Sequence, residues 1–96
     1  MTMESKIKIL AIDDDKIIHS VIRKSLNEDN LEIISAKDGE EGLEKANAET
    51  PDIIILDVEM PGKNGFEVCE ALRSSNQTKD IPVIFLSSDS TLRSRM

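Results

Sequence analysis

Ninety-six residues allow one domain, because a chain this short can enclose only a single hydrophobic core. With 39% apolar and 32% charged residues it can fold around aliphatic side chains, but two Phe and no Tyr or Trp exclude an aromatic platform for single-stranded nucleic acid. Twelve Lys plus Arg against nineteen Asp plus Glu give a net charge of −7, a field that repels phosphate backbones and anionic lipid, so neither nucleic acid nor membrane is an expected partner. No apolar run reaches the ~18 residues of a membrane span, no apolar signal region precedes the first strand, and Cys69 has no disulfide partner, so a cytoplasmic setting is expected.

Ile7-Lys8-Ile9-Leu10-Ala11-Ile12 is a short β-branched stretch that reads as a buried strand and runs directly into Asp13-Asp14-Asp15. Over residues 16 to about 28, Ile17, Ile18, Val21, Ile22 and Leu26 recur along one side of a helix, with Arg23, Lys24 and Asn27 on the wet side. His19, alone on the flank of that helix, has no role in this reading. Residues 31–36 form a second strand and residues 39–49 a second helix, closed by Pro51, with Glu40, Glu41 and Glu44 as its solvated face. Gly39 and Gly42 make a short G-x-x-G that reads as turn and packing, because the full phosphate-cradling fingerprints are missing.

Ile53-Ile54-Ile55-Leu56 is apolar at every position, the pattern of a strand covered on both faces, and it ends in Asp57. The turn-rich stretch Met60-Pro61-Gly62-Lys63-Asn64-Gly65 leads into a third helix that carries Phe66, Cys69 and Leu72 and ends near Ser75, with Cys69 as a small core residue. Pro82-Val83-Ile84-Phe85-Leu86 is a fourth strand ending at Ser87-Ser88, and residues 89–96 read as the start of a fourth helix. Strict alternation of strands and helices predicts an α/β fold: a doubly wound parallel sheet with right-handed crossovers.

Ligands of open parallel sheets bind beyond the carboxyl ends of the strands, where the strand order reverses. In the order 2-1-3-4, strand three lies beside strand one, and the ends Asp13-Asp14-Asp15, Asp57 and Ser87-Ser88 gather carboxylates and a hydroxyl in one crevice. Clustered carboxylates repel unless a cation or proton offsets their charge, and an all-oxygen donor set suits a hard divalent ion, Mg²⁺ or Mn²⁺. Such a site could prepare Asp57 to attack a phosphoryl group. No Lys is expected at the end of any of the four strands to supply a further cation.

Three segments together resemble a response-regulator receiver domain: Ile9-Leu10-Ala11-Ile12-Asp13-Asp14-Asp15, then Ile55-Leu56-Asp57-Val58-Glu59-Met60-Pro61-Gly62-Lys63-Asn64-Gly65, then Pro82-Val83-Ile84-Phe85-Leu86-Ser87-Ser88. The resemblance covers nearly the whole chain, with the segments in the family's order and spacing. It implies a flavodoxin-like sheet of order 2-1-3-4 over residues 1–96, with the fifth βα unit missing and the single domain incomplete at its C-terminus. It makes Asp57 the phosphoryl acceptor, with Asp14 on the metal directly and Asp13 through water. Glu59 would lend its backbone carbonyl to the metal, and the Ser87 hydroxyl would contact the phosphoryl group and act as the switch. The family's catalytic Lys has no counterpart in this chain.

The function implied is that of a phospho-acceptor in a two-component phosphorelay, receiving its phosphoryl group from a sensor histidine kinase or a phosphotransfer protein. It is a stoichiometric switch that promotes its own phosphorylation and dephosphorylation rather than a turnover enzyme; the downstream effector is not identified. With a fifth strand and helix missing, an apolar patch and self-association are expected. Two rival readings are a truncated fragment serving only as an interaction surface, and a Mg²⁺-dependent phosphohydrolase, since Asp57-Val58-Glu59 is superficially similar to the D-x-D of haloacid-dehalogenase-type enzymes.

Overall fold

The alternating periodicities resolve into β1 (Ile7–Ile12), α1 (Lys16–Ser25), β2 (Leu31–Ala36), α2 (Gly39–Glu49), β3 (Ile53–Asp57), α3 (Gly65–Arg73) and β4 (Val83–Leu86) in the computed structural model, which describes residues 6–60, 62 and 64–86. The helix expected over residues 89–96 lies outside the described residues, as do Ser87 and Ser88.

All strand pairings are parallel, and the sheet order is β2-β1-β3-β4, as expected. The ladder between β1 and β3 runs from Ile9 opposite Ile53 to Ile12 opposite Leu56, so the next residues, Asp13 and Asp57, leave the sheet at the same edge. The crossover from β1 to β2 moves one way across the sheet and the two later crossovers move the other way. Right-handed connections therefore place α1 on one face and α2 with α3 on the other.

Because side chains alternate across a strand, Leu10, Ile12, Ile54 and Leu56 point to the face of α2 and α3. There they form one buried cluster with Ala46, Val68, Leu72 and Met60. Gly42 of α2 rests directly on Ile12; a Cβ at this position would lie 2.8 Å from Ile12 Cγ1, so the helix sits closer to the sheet than any side chain allows. The G-x-x-G therefore serves packing, as read from the sequence. On the opposite face Ile9 and Ala11 are buried with Ile22 of α1, while Ile17, Val21 and Ile84 remain exposed.

Two boundaries differ from the sequence expectation. α1 stops at Ser25 rather than near residue 28: Leu26 leaves helical geometry at φ −111° and ψ 41° while its N–H still donates to Ile22. The segment Asn27-Glu28-Asp29-Asn30, in which Asn27, Asp29 and Asn30 are weak helix formers, then turns, with Leu31 N–H donating to the Glu28 carbonyl, and the Asn30 carbonyl accepts the Ile7 N–H to open the β1–β2 ladder. α3 starts one residue early because Asn64 and Glu67 form a reciprocal capping box, and it ends at Arg73, whose guanidinium donates to the carbonyls of Lys79 and Ile81 in the following turn. Glu41 also departs from its reading as a solvated acid. It is half-buried, accepts the Lys37 N–H at 2.7 Å and pairs with Lys45 at 3.3 Å, and the Lys37 amide holds its carboxyl below the usual range.

The contrast between the two apolar environments is measurable. Ile54→Ala removes a fully buried side chain and is expected to cost about 2–5 kcal/mol in urea denaturation, whereas Ile84→Ala, at an exposed position of β4, costs less than about 1 kcal/mol.

Candidate functional site

The three consecutive aspartates after β1 take three different positions. The Asp13 N–H continues the sheet by donating to the Ala36 carbonyl at 3.0 Å, and its side chain turns inward, where the residue is only 5% exposed. Asp14 is exposed at the mouth. Asp15 is the N-cap of α1, with its carboxylate accepting the Ile17 N–H at 2.9 Å and its own N–H donating to Asp13 Oδ1 at 2.9 Å. Helix capping is thus the task of Asp15 alone, and Asp13 and Asp14 are left for the crevice.

Asp57, at the end of the neighbouring strand, is half-buried and accepts the Glu59 N–H on Oδ1 at 3.2 Å, closing a two-residue turn. One carboxylate oxygen from each of Asp13, Asp14 and Asp57 lies within 4.8 Å of the other two. The loop after Asp57 is pinned by Gly65, whose N–H donates to the Val58 carbonyl at 2.9 Å. A Cβ on Gly65 would run into the Asp57 carbonyl oxygen and sit 2.8 Å from Val58 Cα, so only glycine lets α3 start this close to the strand end.

The electrostatics follow from this crowding. Burial is the largest influence on Asp57 and pushes its carboxyl up to about 6; the negative charges of Asp13, Asp14 and Glu59 add to it, and the Glu59 N–H opposes it. Asp13 is raised for the same first reason, reinforced by Asp14 and Asp15 and opposed by the Asp15 N–H and by His19. Three converging carboxylates, with only oxygen donors at their focus, fit a hard divalent cation such as Mg²⁺.

Glu59 is exposed beside Asp57, while Ser87 lies outside the described residues. Two residues at the site have no role in the sequence reading. His19 is half-buried, and its Nε2 lies 2.7 Å from the Asp13 carbonyl oxygen. The available signal was its place four residues after the capping Asp15, one turn into α1 and facing back toward the strand end. The second is Lys37, which directly follows β2 and corrects the expectation that no lysine stands at a strand end. With Lys16, His19, Asp13, Asp14 and Asp38 it lines a cavity of about 410 Å³ on the flank of the acids.

Comparison with known proteins identifies the family and agrees with the fold. The family model described as response regulator receiver domain matches residues 9–96. The alkaline phosphatase synthesis transcriptional regulatory protein PhoP of Bacillus subtilis is 42% identical over 79 residues, which are 82% of this chain and 32% of that protein. Response regulator MprA of Mycobacterium leprae is 37% identical over 89 residues, 93% of this chain and 38% of MprA. The chain thus spans about a third of the length of these curated relatives. Among solved structures, the chemotaxis response regulator CheY4 of Vibrio cholerae superposes with a TM-score of 0.83 at 34% identity, covering 95% of this chain and 76% of that one. The N-terminal domain of a response regulator receiver protein from Methanoculleus marisnigri JR1 gives 0.81 at 36% identity, covering 85% and 67%.

The raised Asp57 carboxyl sets a pH dependence. Its folded value, about 6, lies above the ordinary 3.8, so the folded state holds the extra proton between these values, and ionisation costs stability progressively as pH rises from about 4 through 6. In metal-free buffer Asp57→Asn is therefore expected to match the parent below pH 4 and to exceed it above pH 6, by on the order of 1–3 kcal/mol after solvent screening at the mouth. Thermal melts across pH 3.5–8 check this. Gly65→Ala, by contrast, should destabilise at every pH, by at least about 1 kcal/mol, because its clash with backbone is not electrostatic.

Proposed function

The chain belongs to the response regulator receiver domain family, and from that premise we propose that Asp57 accepts a phosphoryl group with the help of a divalent cation held by Asp13, Asp14 and Asp57. The observation that carries this reading is the convergence of three carboxylates from the ends of two adjacent parallel strands. Asp14, exposed at the mouth, is suited to ligate the ion directly, while the inward, hydrogen-bonded Asp13 is suited to act through water. In this reading the Glu59 backbone carbonyl would serve the metal and the Ser87 hydroxyl would contact the phosphoryl oxygens. When bound, the Mg²⁺ or Mn²⁺ would offset the negative charge shared by the acids and the transferring phosphoryl group.

The residues of the chain account for the choice of nucleophile. The Glu59 N–H occupies Oδ1 of Asp57, so Oδ2 is the oxygen free to attack. Burial raises the basicity of that carboxylate yet leaves it ionised at neutral pH, a combination that favours nucleophilic attack. An O–P bond to Asp57 forms as the P–N bond of a phosphohistidine donor breaks, and the imidazole leaves with the bonding electron pair. The donor in this reading is a sensor histidine kinase or phosphotransfer protein, and the product is an acyl phosphate that acts as a stoichiometric signal. Among the described residues no helix is long and apolar enough to cross a membrane, and the reading places the domain in the cytoplasm with such a donor.

Acetyl phosphate with Mg²⁺, followed by intact mass measurement, is expected to add one phosphoryl group to the parent chain and none after chelation of the metal. Asp57→Asn should abolish the gain, and Asp14→Asn should slow it by at least about tenfold. Undiminished labelling of Asp57→Asn would remove Asp57 as the acceptor.

A further inference from the structure

The Asp13 carbonyl lies one residue past the last ladder position of β1, and among the described residues no backbone N–H donates to it. His19 supplies one, with Nε2 at 2.7 Å. A carbonyl oxygen can only accept, so Nε2 carries a ring proton and donates it to Asp13. Nδ1 is sealed from solvent and, among the described residues, has no hydrogen-bond partner, so among these residues the Asp13 carbonyl is the one polar attachment of the imidazole.

That attachment closes a ring of hydrogen bonds around the acidic turn. Asp13 Oδ1 accepts the Asp15 N–H at 2.9 Å, the Asp15 carbonyl accepts the His19 N–H at 3.4 Å, and the His19 ring returns to the Asp13 carbonyl. The carbonyl lies in the plane of the Asp13–Asp14 peptide, and the two side chains leave from opposite ends of that plane. Rotation of the plane would move one carboxylate relative to the other. Two like charges held close to Asp57 favour such a rotation, and a bond to the carbonyl resists it.

We propose that His19 is a positioning residue for the divalent-cation site: by clasping the Asp13 carbonyl it fixes the Asp13–Asp14 peptide, and with it the spacing of the two carboxylates before the ion arrives. Preorganised ligands bind more tightly because less ordering remains for the binding step. The inference rests on the metal reading given above, and it adds a group that neither ligates the ion nor touches the phosphoryl donor.

The test is a Mg²⁺ titration of the full chain, followed by the amide ¹H–¹⁵N shifts of Asp13, Asp14 and Asp57, together with thermal melts. His19→Leu keeps the bulk and removes the donor; His19→Gln keeps an N–H at a similar reach. The leucine variant is expected to bind Mg²⁺ about tenfold more weakly than the parent, and the glutamine variant within about twofold of it. Long-range ¹H–¹⁵N correlation of the parent ring is expected to show Nε2 carrying a proton. Undiminished affinity in His19→Leu overturns the proposal whatever its melting temperature, as does a glutamine variant that melts like the parent yet binds as weakly as leucine. If the leucine variant does not fold, His19→Asn replaces it: asparagine is too short to reach the carbonyl, so affinity equal to that of His19→Gln overturns the proposal. A parent chain with no Mg²⁺ response overturns the metal reading, and the role of His19 with it.

Discussion

Parallel pairing of β1 and β3 forces their carboxyl ends to the same edge of the sheet, and the site depends on that constraint. Each strand ends in acid, so pairing them brings like charges within a few ångströms of one another. Displacing one carboxyl to about 6 corresponds to roughly 3 kcal/mol at most. Burying one large aliphatic side chain stabilises by about 1.5–3 kcal/mol, and Leu10, Ile12, Ile54 and Leu56 are all fully buried on one face of the same two strands. The core therefore outweighs the repulsion, and the acids stay together because the residues beneath them cannot separate.

Hydrogen bonds near the strand ends then divide the work among side chains of one type. Asp15 caps α1, and its amide steadies the Asp13 carboxylate; Asp14 receives no such bond among the described residues and is exposed. Asp57 has one oxygen engaged by Glu59 N–H. Four aspartates of equal chemistry thus differ in burial and in which amide reaches which oxygen.

The charge distribution adds a second layer. A chain of net charge −7 repels an anionic donor at long range. At the flank of the acids, however, Lys16 and Lys37 line the cavity beside Asp13 and Asp14, so the local field there is mixed in sign. The same cavity wall includes His19, whose polar function is turned to the backbone and not to the open space. These contributions come from three separate segments: the end of β1, the first turns of α1 and the residue after β2.

Much of this architecture was legible in the sequence because it is written in local pattern. The all-apolar run Ile53-Ile54-Ile55-Leu56 announced a strand covered on both faces, and the acid at the end of each of two such runs announced the crevice. The end of α1 was less legible, since Leu26 continues the apolar stripe and only the cost of a helical Asn27-Glu28-Asp29-Asn30, set against the ladder that Asn30 opens, stops it at Ser25.

The linear chain by itself determined the alternation of elements, the aliphatic core and the acidic strand ends, because each follows from residues a few positions apart. The partners of single polar atoms were decided only by tertiary structure: His19 on the Asp13 carbonyl, Lys37 beside the acids, Gly65 against the Asp57 backbone. Such contacts join segments whose distance along the chain carries no periodic signal, and they exist only once the crossovers have brought those segments to one edge of the sheet.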